Sequence, residues 1–259
     1  MMKKKVICMM AAMTICLAGC NSDDSDTKSG GKNVVRTITN IENFAGVTPL
    51  ATTQWSYTYD SAGRMASQRM HLLYTQSNEP DVLTNYDYYA DSIVVTVSQE
   101  GRPFTRSTTY LTENGLIVKN QTTTYSYDAQ GYLKQAVSEE STSNYTWKNG
   151  MLAEVERIYS NENNKVVETF EASSVPTPHM LPLKILSALP LYQQHEDPNL
   201  IAQGFFGHQS ACLPQTISRF TVYSDEDRRN VETYNYSYEL KDGLVVSYTV
   251  GNGTYLVEW

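Results

Sequence analysis

The stretch Tyr57-Thr58-Tyr59-Asp60-Ser61-Ala62-Gly63-Arg64-Met65 recurs further along the chain as Tyr125-Ser126-Tyr127-Asp128-Ala129-Gln130-Gly131-Tyr132-Leu133. Two tyrosines spaced i, i+2 lie on one face of an extended chain. An aspartate directly after them bonds the backbone of a turn, and a glycine three residues on takes the positive φ that sends the chain back. The phrase therefore spells a β-hairpin, whose return strand starts at Arg64-Met65 or Tyr132-Leu133. Looser versions run from Tyr145 to Leu152 and from Tyr236 to Leu244.

From Val34 onward the rest of the chain reads the same way. Segments such as TTQWSYTYD, DSIVVTVSQ, RSTTYLT, NKVVETFEA and LVVSYTV are rich in Val, Ile, Thr, Tyr and Trp, which fit a pleated surface. Between them stand Asn114-Gly115, Asn149-Gly150, Asp242-Gly243 and Asn252-Gly253, pairs that readily adopt hairpin turns. In Met151 to Tyr159, strict alternation places Leu152, Glu154, Glu156 and Ile158 on one face and Met151, Ala153, Val155, Arg157 and Tyr159 on the other. Strands joined this tightly pair with their sequence neighbours, so the expected fold is an all-β antiparallel meander of about fourteen strands. A sheet that wide curls, and a strongly curved sheet or partial barrel is the expected shape.

One segment, residues 172–214, breaks the pattern. Pro176, Pro178, Pro182, Pro190, Pro198 and Pro214 interrupt any continuous strand or helix. Short helical pieces fit around Leu183 to Ala188 and Asn199 to Phe205, with Asp197 as a cap before Pro198. The leucines and phenylalanines of this insert need burial, so it is expected to cover one opening of the curled sheet.

Residues 1–19 must be set aside before the fold is read. Lys3, Lys4 and Lys5 followed by a short apolar run form a secretory leader, too short to cross a membrane as a helix. Its end, Leu17-Ala18-Gly19-Cys20, looks like a bacterial lipobox, which implies lipid attachment at Cys20 and a membrane as first partner. Residues 20–33, with Asp23, Asp24 and Asp26, compose a flexible acidic tether, leaving residues 34–259 as a single all-β domain. The acidic cluster resembles the surface-export signal of Bacteroidetes lipoproteins, which implies an outer-membrane lipoprotein exposed at the cell surface. A periplasm-facing tether is the alternative.

Removal of the three leader lysines leaves 17 cationic against 28 acidic side chains, a net charge of −11. Such a chain repels polyanions, and its Lys and Arg form no stripe, which excludes nucleic acid as a partner. Cys8 and Cys16 leave with the leader and Cys20 carries lipid, so Cys212 is the remaining thiol and no intrachain disulfide forms.

The two Tyr-x-Tyr-Asp-x-x-Gly phrases resemble the tyrosine-aspartate hairpin repeats of Rhs and teneurin shells. Over the whole chain, the lipobox, acidic tether, tyrosine-rich hairpins, late proline-broken insert and the phrase GHQSACLP are similar to an uncharacterised Bacteroidetes lipoprotein family described as having a porin-like fold. That resemblance implies a shape and a location and carries no activity.

A true membrane-spanning barrel needs an outward apolar band on every strand. VSEESTSNYT and RSTTYLTENG offer none on either face, so TYLVEW reads as an ordinary last strand. No nucleophile elbow, paired carboxylates, metal signature or calcium loop emerges around His179, His195, His208, Ser210, Cys212 or Asp225-Glu226-Asp227, so no catalytic residue, metal or cofactor is assigned. Aromatic faces remain. Trp55, Tyr57, Tyr59, Tyr125, Tyr127 and Trp147 form the candidate ligand-binding set, since sugar rings stack on such surfaces; cross-strand tyrosine ladders explain the same pattern structurally. Three functions stay open: a surface-anchored binding or scaffold module, here also a glycan binder using the Tyr/Trp face; an accessory lipoprotein whose partner docks on an exposed strand edge; and a degradative envelope enzyme.

Overall fold

A computed structural model describes residues 34–42, 50–73, 79–102, 105–161, 164–178, 180–182, 197–223 and 230–259. The leader, the tether with Cys20, the helical piece expected around Leu183, His179, His195 and Asp225 to Asp227 lie outside the described residues.

The strands are β1 (Thr37–Glu42), β2 (Leu50–Tyr59), β3 (Met65–Leu72), β4 (Val82–Tyr88), β5 (Ser92–Gln99), β6 (Thr105–Glu113), β7 (Leu116–Lys119) and β8 (Thr123–Tyr127). They continue as β9 (Leu133–Ser138), β10 (Ser141–Lys148), β11 (Met151–Tyr159), β12 (Asn164–Pro176), β13 (Cys212–Tyr223), β14 (Asn230–Lys241), β15 (Leu244–Val250) and β16 (Gly253–Glu258). Each pairs antiparallel with its sequence neighbours, and β1 pairs with β16, for example Ile38 with Val257, so the meander closes into a barrel of sixteen strands. The expected partial barrel of about fourteen strands is thereby corrected: short pairs such as β7 with β8 and β9 with β10 add strands, and β16 finds β1. Closure also removes the free edge on which a partner was expected to dock, because every named strand has two neighbours. The slenderest junction is β7 with β8, joined in register only at Lys119 and Thr124.

Meander connectivity puts connections 60–64, 89–91, 114–115, 128–132, 149–150, 177–211 and 242–243 at one rim, together with the first and last described residues. Asn114, Asn149 and Asp242 have φ near +50°, each followed by a glycine at positive φ, as two-residue primed turns require. In the quoted phrase, Asp60 Oδ1 accepts from the backbone N–H of Ala62 and Arg64, both at 2.9 Å. Asp128 Oδ1 does the same for Gln130 and Tyr132. Desolvation raises the Asp60 pKa, but the backbone and guanidinium of Arg64 together with the Ala62 N–H outweigh it and hold the carboxyl below its usual range.

Each of five hairpins carries a bulge just past its turn. The registers skip Ala66 in β3, Val118 in β7, Lys134 in β9, Ala153 in β11 and Val246 in β15. This corrects the alternation expected for Met151 to Tyr159: the extra residue turns Leu152 inward alongside Val155 and Arg157, while Glu154, Glu156 and Ile158 face out. The residue before each bulge, Met65, Ile117, Leu133, Leu152 or Val245, is buried and anchors its hairpin in the core.

The core lies inside the barrel, where Tyr57, Tyr86, Tyr110, Tyr125, Tyr145, Tyr236 and Tyr248 alternate with Val and Ile. Between β12 and β13 the strands run further than expected, claiming residues 172–176 and 212–214 from the insert. Pro214 is accommodated beside a register shift and Pro176 ends its strand. Asp197 caps a short helix α1 (Pro198–Ala202) by accepting from Asn199 N (2.8 Å) and Leu200 N (3.3 Å), with proline at its start. Leu200 and Phe206 join the core cluster.

Gly207 sits at φ +86°, and a Cβ there would lie 2.3 Å from Gly131 O and 3.2 Å from the Tyr127 ring, whereas Gly243, at φ +79°, has open space. Gly207→Ala is expected to cost about 3 kcal/mol in chemical denaturation, Gly243→Ala only about 1 kcal/mol of backbone strain.

Candidate functional site

All six aromatic residues singled out from the sequence belong to the core or pack against it. Tyr57 and Tyr125 are buried; Tyr125 packs edge-on against Phe206, with centroids 5.1 Å apart, and its hydroxyl accepts from Asn120 Nδ2. Trp55 lies on β2 opposite the fully buried Ile38 of β1.

Tyr59, Tyr127 and Trp147 share a more specific role. Each stands at the end of a strand running into the first rim and donates to a backbone carbonyl there: Tyr59 OH to Val35 O (2.6 Å), Tyr127 OH to Ile117 O (2.6 Å) and Trp147 Nε1 to Leu133 O (2.7 Å). Tyr88 to Met65 O, Tyr238 to Pro214 O and Trp259 to Val245 O repeat the contact at 2.6 to 2.8 Å. Four of the six acceptors are hairpin anchors, whose backbone leaves the ladder at the bulge. The aromatic of one hairpin thus latches the anchor of the hairpin before it. Burial raises the phenol pKa of Tyr59 and Tyr88 to about 12, keeping these groups protonated donors.

The anchors' N–H groups are met from the other side by residues 203–210. Met65 N donates to Gln203 Oε1 (2.9 Å), Ile117 N to Phe205 O (2.8 Å) and Leu152 N to Ser210 Oγ (2.9 Å). His208 N and Ala211 N bond Gly131 O and Gly150 O at the turns. Deeper in, Asn199 Nδ2 donates to Gln68 Oε1 (3.0 Å) and to Tyr86 OH, and Tyr86 OH lies 3.1 Å from Asp197 Oδ2. Beside this segment is an apolar cavity of about 80 Å³, lined among others by Tyr145, Trp147, Leu152, Phe170, Phe206 and Cys212. Cys212 is a free thiol. His208 is exposed and leans on Tyr132, whose ring in turn packs on Trp147 at 4.7 Å. Among the described residues, no three His, Cys, Asp or Glu side chains converge on a metal-sized space.

A second polar group lies in the wall of β11 to β14. Glu168 is fully buried and neither carboxylate oxygen has a hydrogen-bond partner. Burial pushes its pKa up to about 7, against the opposing pull of Arg219 and Arg157. Arg157 is also fully buried, with Nε donating to Ser143 Oγ at 3.0 Å. Sequence reasoning missed this group, although the inward alternation of Val166, Glu168 and Phe170 places the carboxylate inside once β12 is recognised. It also missed the anchors, whose signal is an apolar residue two positions after each turn glycine.

The outer wall has the opposite character. Thr58 with Ser67, Gln135 with Asn144, Ser237 with Thr249 and Lys165 with Glu156 form hydrogen-bonded cross-strand pairs. Among the described residues, Leu111, Val137, Ile158, Leu240 and Leu256 are exposed apolar residues on five strands, no two of which are neighbours in the barrel.

These features define a closed antiparallel β-barrel with an aromatic interior and a polar exterior. Its fold is shared with a porin-like protein from Bacteroides uniformis, at TM-score 0.62 and 18% identity, the match covering 86% of this chain and 97% of that one. At that identity the likeness is one of fold. No family model and no curated protein matches the sequence.

Losing one latch leaves the carbonyl of a buried residue, Val35 or Ile117, unsatisfied, so Tyr59→Phe and Tyr127→Phe are each expected to cost about 1 to 2 kcal/mol in urea unfolding, against no measurable change for the exposed Tyr89→Phe. Because folding raises the Glu168 pKa from 4.5 to about 7, the native state holds the extra proton in that window. Stability is therefore full below about pH 4.5 and falls as pH rises through 7. Glu168→Gln should lack that fall, so its advantage over wild type grows by up to about 3 kcal/mol between pH 4.5 and 8.

Proposed function

We propose that this protein is a lipid-anchored barrel of the bacterial outer membrane, exposed at the cell surface, acting as a non-catalytic binding or scaffold module. The observation that carries the proposal is the inverted polarity of the barrel. A spanning porin turns an apolar band outward and encloses a polar lumen; here the buried tyrosines and the core aliphatics are inside, while hydrogen-bonded threonine, serine, glutamine and charged pairs lie outside with single exposed aliphatics such as Leu111 and Ile158 among them. A wall of this kind is suited to water, so residence at a membrane falls to an anchor. Leu17-Ala18-Gly19-Cys20 and the acidic stretch to Asp26 supply that anchor and its tether.

The insert 172–214 acts as the cover of the first rim. Its support is the row of contacts from Gln203, Phe205, His208, Ser210 and Ala211 to the hairpins there, with Leu200 and Phe206 seated in the core. With the rim covered, the protein is a solid presenting surface. The inward positions of Trp55, Tyr57, Tyr59, Tyr125, Tyr127 and Trp147 commit their rings to packing and latching, which favours the scaffold reading over a glycan platform built from them.

Cys20→Ala separates the alternatives in one fractionation. Loss of the lipid is expected to move the protein from the membrane fraction into the soluble one, because the exposed apolar residues of the described outer wall stand on strands that are not neighbours. A variant that stays membrane-bound and needs detergent for extraction would mean that the barrel itself inserts.

A further inference from the structure

The register of β12, β13 and β14 places Glu168 opposite Arg219, and Arg219 opposite Glu232, in one row on the inner wall. The row runs from solvent into the core. The Glu232 side chain is 56% exposed near the start of β14, that of Arg219 is 22% exposed, and Glu168 is fully buried. One guanidinium therefore stands between two carboxylates. It is engaged with Glu232, Nη1 to Oε2 at 3.8 Å, a separation too long for a hydrogen bond, while both oxygens of Glu168 have no partner. Glu232 keeps another contact, since its Oε2 accepts from Tyr234 OH at 2.9 Å.

We propose that Glu168 is a proton-operated switch for Arg219: protonated, it leaves the guanidinium to Glu232, and ionised, it draws the guanidinium inward and releases Glu232 at the second rim of the barrel. The direction follows from unequal stakes. A carboxylate ionised inside the wall without a partner is costly, whereas an exposed carboxylate that loses a loose ion pair forfeits little. Directly opposite residues on neighbouring strands stand close enough for an arginine to serve either side.

The other groups facing Glu168 do not replace Arg219. From β11, Arg157 sits diagonally, its own partner in register being Val166, and its Nε is held by Ser143. From β14 come Glu232, Tyr234 and Tyr236; the Tyr236 hydroxyl is buried without a partner, and burial followed by the Glu168 charge raises its pKa, so it stays a neutral phenol. Lys165 on β12 itself pairs with Glu156 on the outer face. The Glu168 pKa of about 7 puts the changeover within the range that an envelope protein meets.

The test is a double-mutant cycle on the full chain, using Arg219→Ala, Glu232→Ala and the pair, with unfolding midpoints measured at pH 5.5 and 8.5. Coupling between Arg219 and Glu232 is expected at pH 5.5 and should fall several-fold at pH 8.5. In a Glu168→Gln background it should be the same at both pH values. Equal coupling at both pH values in the wild-type background would overturn the proposal, even if Glu168→Gln flattens the pH dependence of stability, since burial alone does that. Should Arg219→Ala fail to fold, carbon NMR of the glutamate carboxyls decides: the Glu232 signal is expected to shift with a midpoint near 7 that disappears in Glu168→Gln, and a Glu232 signal blind to that titration would refute the switch.

Discussion

A β-bulge just past a hairpin turn takes the anchor residue out of the regular ladder, and the architecture of this barrel follows from how those backbone groups are satisfied. At Met65 and Ile117 the carbonyl is taken by an aromatic side chain of the next hairpin or strand, and the N–H by the segment after α1. Leu133 and Val245 show the carbonyl half of the arrangement and Leu152 the N–H half. Hairpins that would otherwise be independent are tied in series around the first rim, and residues 203–211 of the connection between β12 and β13 are tied to those at Met65, Ile117, Gly131 and Leu152. A buried polar backbone group without a partner is costly, so the segment and the latches depend on one another.

The same constraint bears on how the inside of a wide barrel is filled. Sixteen strands enclose more space than short wall side chains fill, and in porins that space is an aqueous channel. Here the inward residues are large, and Leu200, Phe205 and Phe206 come in from the loop, with Phe206 touching both Tyr110 and Tyr125 and Phe205 stacked on Tyr88. Apolar residues spent inside leave threonine and serine for the outside. Likeness of fold to a porin-like protein therefore coexists with a surface chemistry unlike that of a porin.

Much of this was legible in the sequence. The Tyr-x-Tyr-Asp-x-x-Gly phrase gives strand, cap and turn because each is a local matter: Tyr57 and Tyr59 share a face, Asp60 bonds Ala62 and Arg64, and Gly63 takes φ +76°. Closure was not legible, since the pairing of β1 with β16 joins the two ends of the domain and no local signal specifies it. The bulges were missed for a related reason: the extra residue in Leu152-Ala153-Glu154 is invisible to strict alternation, and only the pairing with Trp147 and Thr146 shows it. The tyrosines carry a signal of face and none of partner. Spacing gives the face they share; whether that face looks at a ligand or at a neighbour's carbonyl depends on a partner strand far away in sequence. Glu168 was hidden because a glutamate in NKVVETFEA reads as solvent-facing until its neighbours fix which side is in.

The polar cross-strand pairs of the outer wall imply that it faces water. Spin labels placed at outward threonines such as Thr124, Thr142 and Thr249, on the lipid-anchored protein in membranes, test it most directly through collision with a water-soluble nickel complex and with oxygen. At every such position the nickel complex should dominate, with no stripe of oxygen-rich, lipid-like sites around the barrel. A continuous oxygen-dominated band at one height across these strands would instead show a barrel embedded in the bilayer and rule out a water-facing wall.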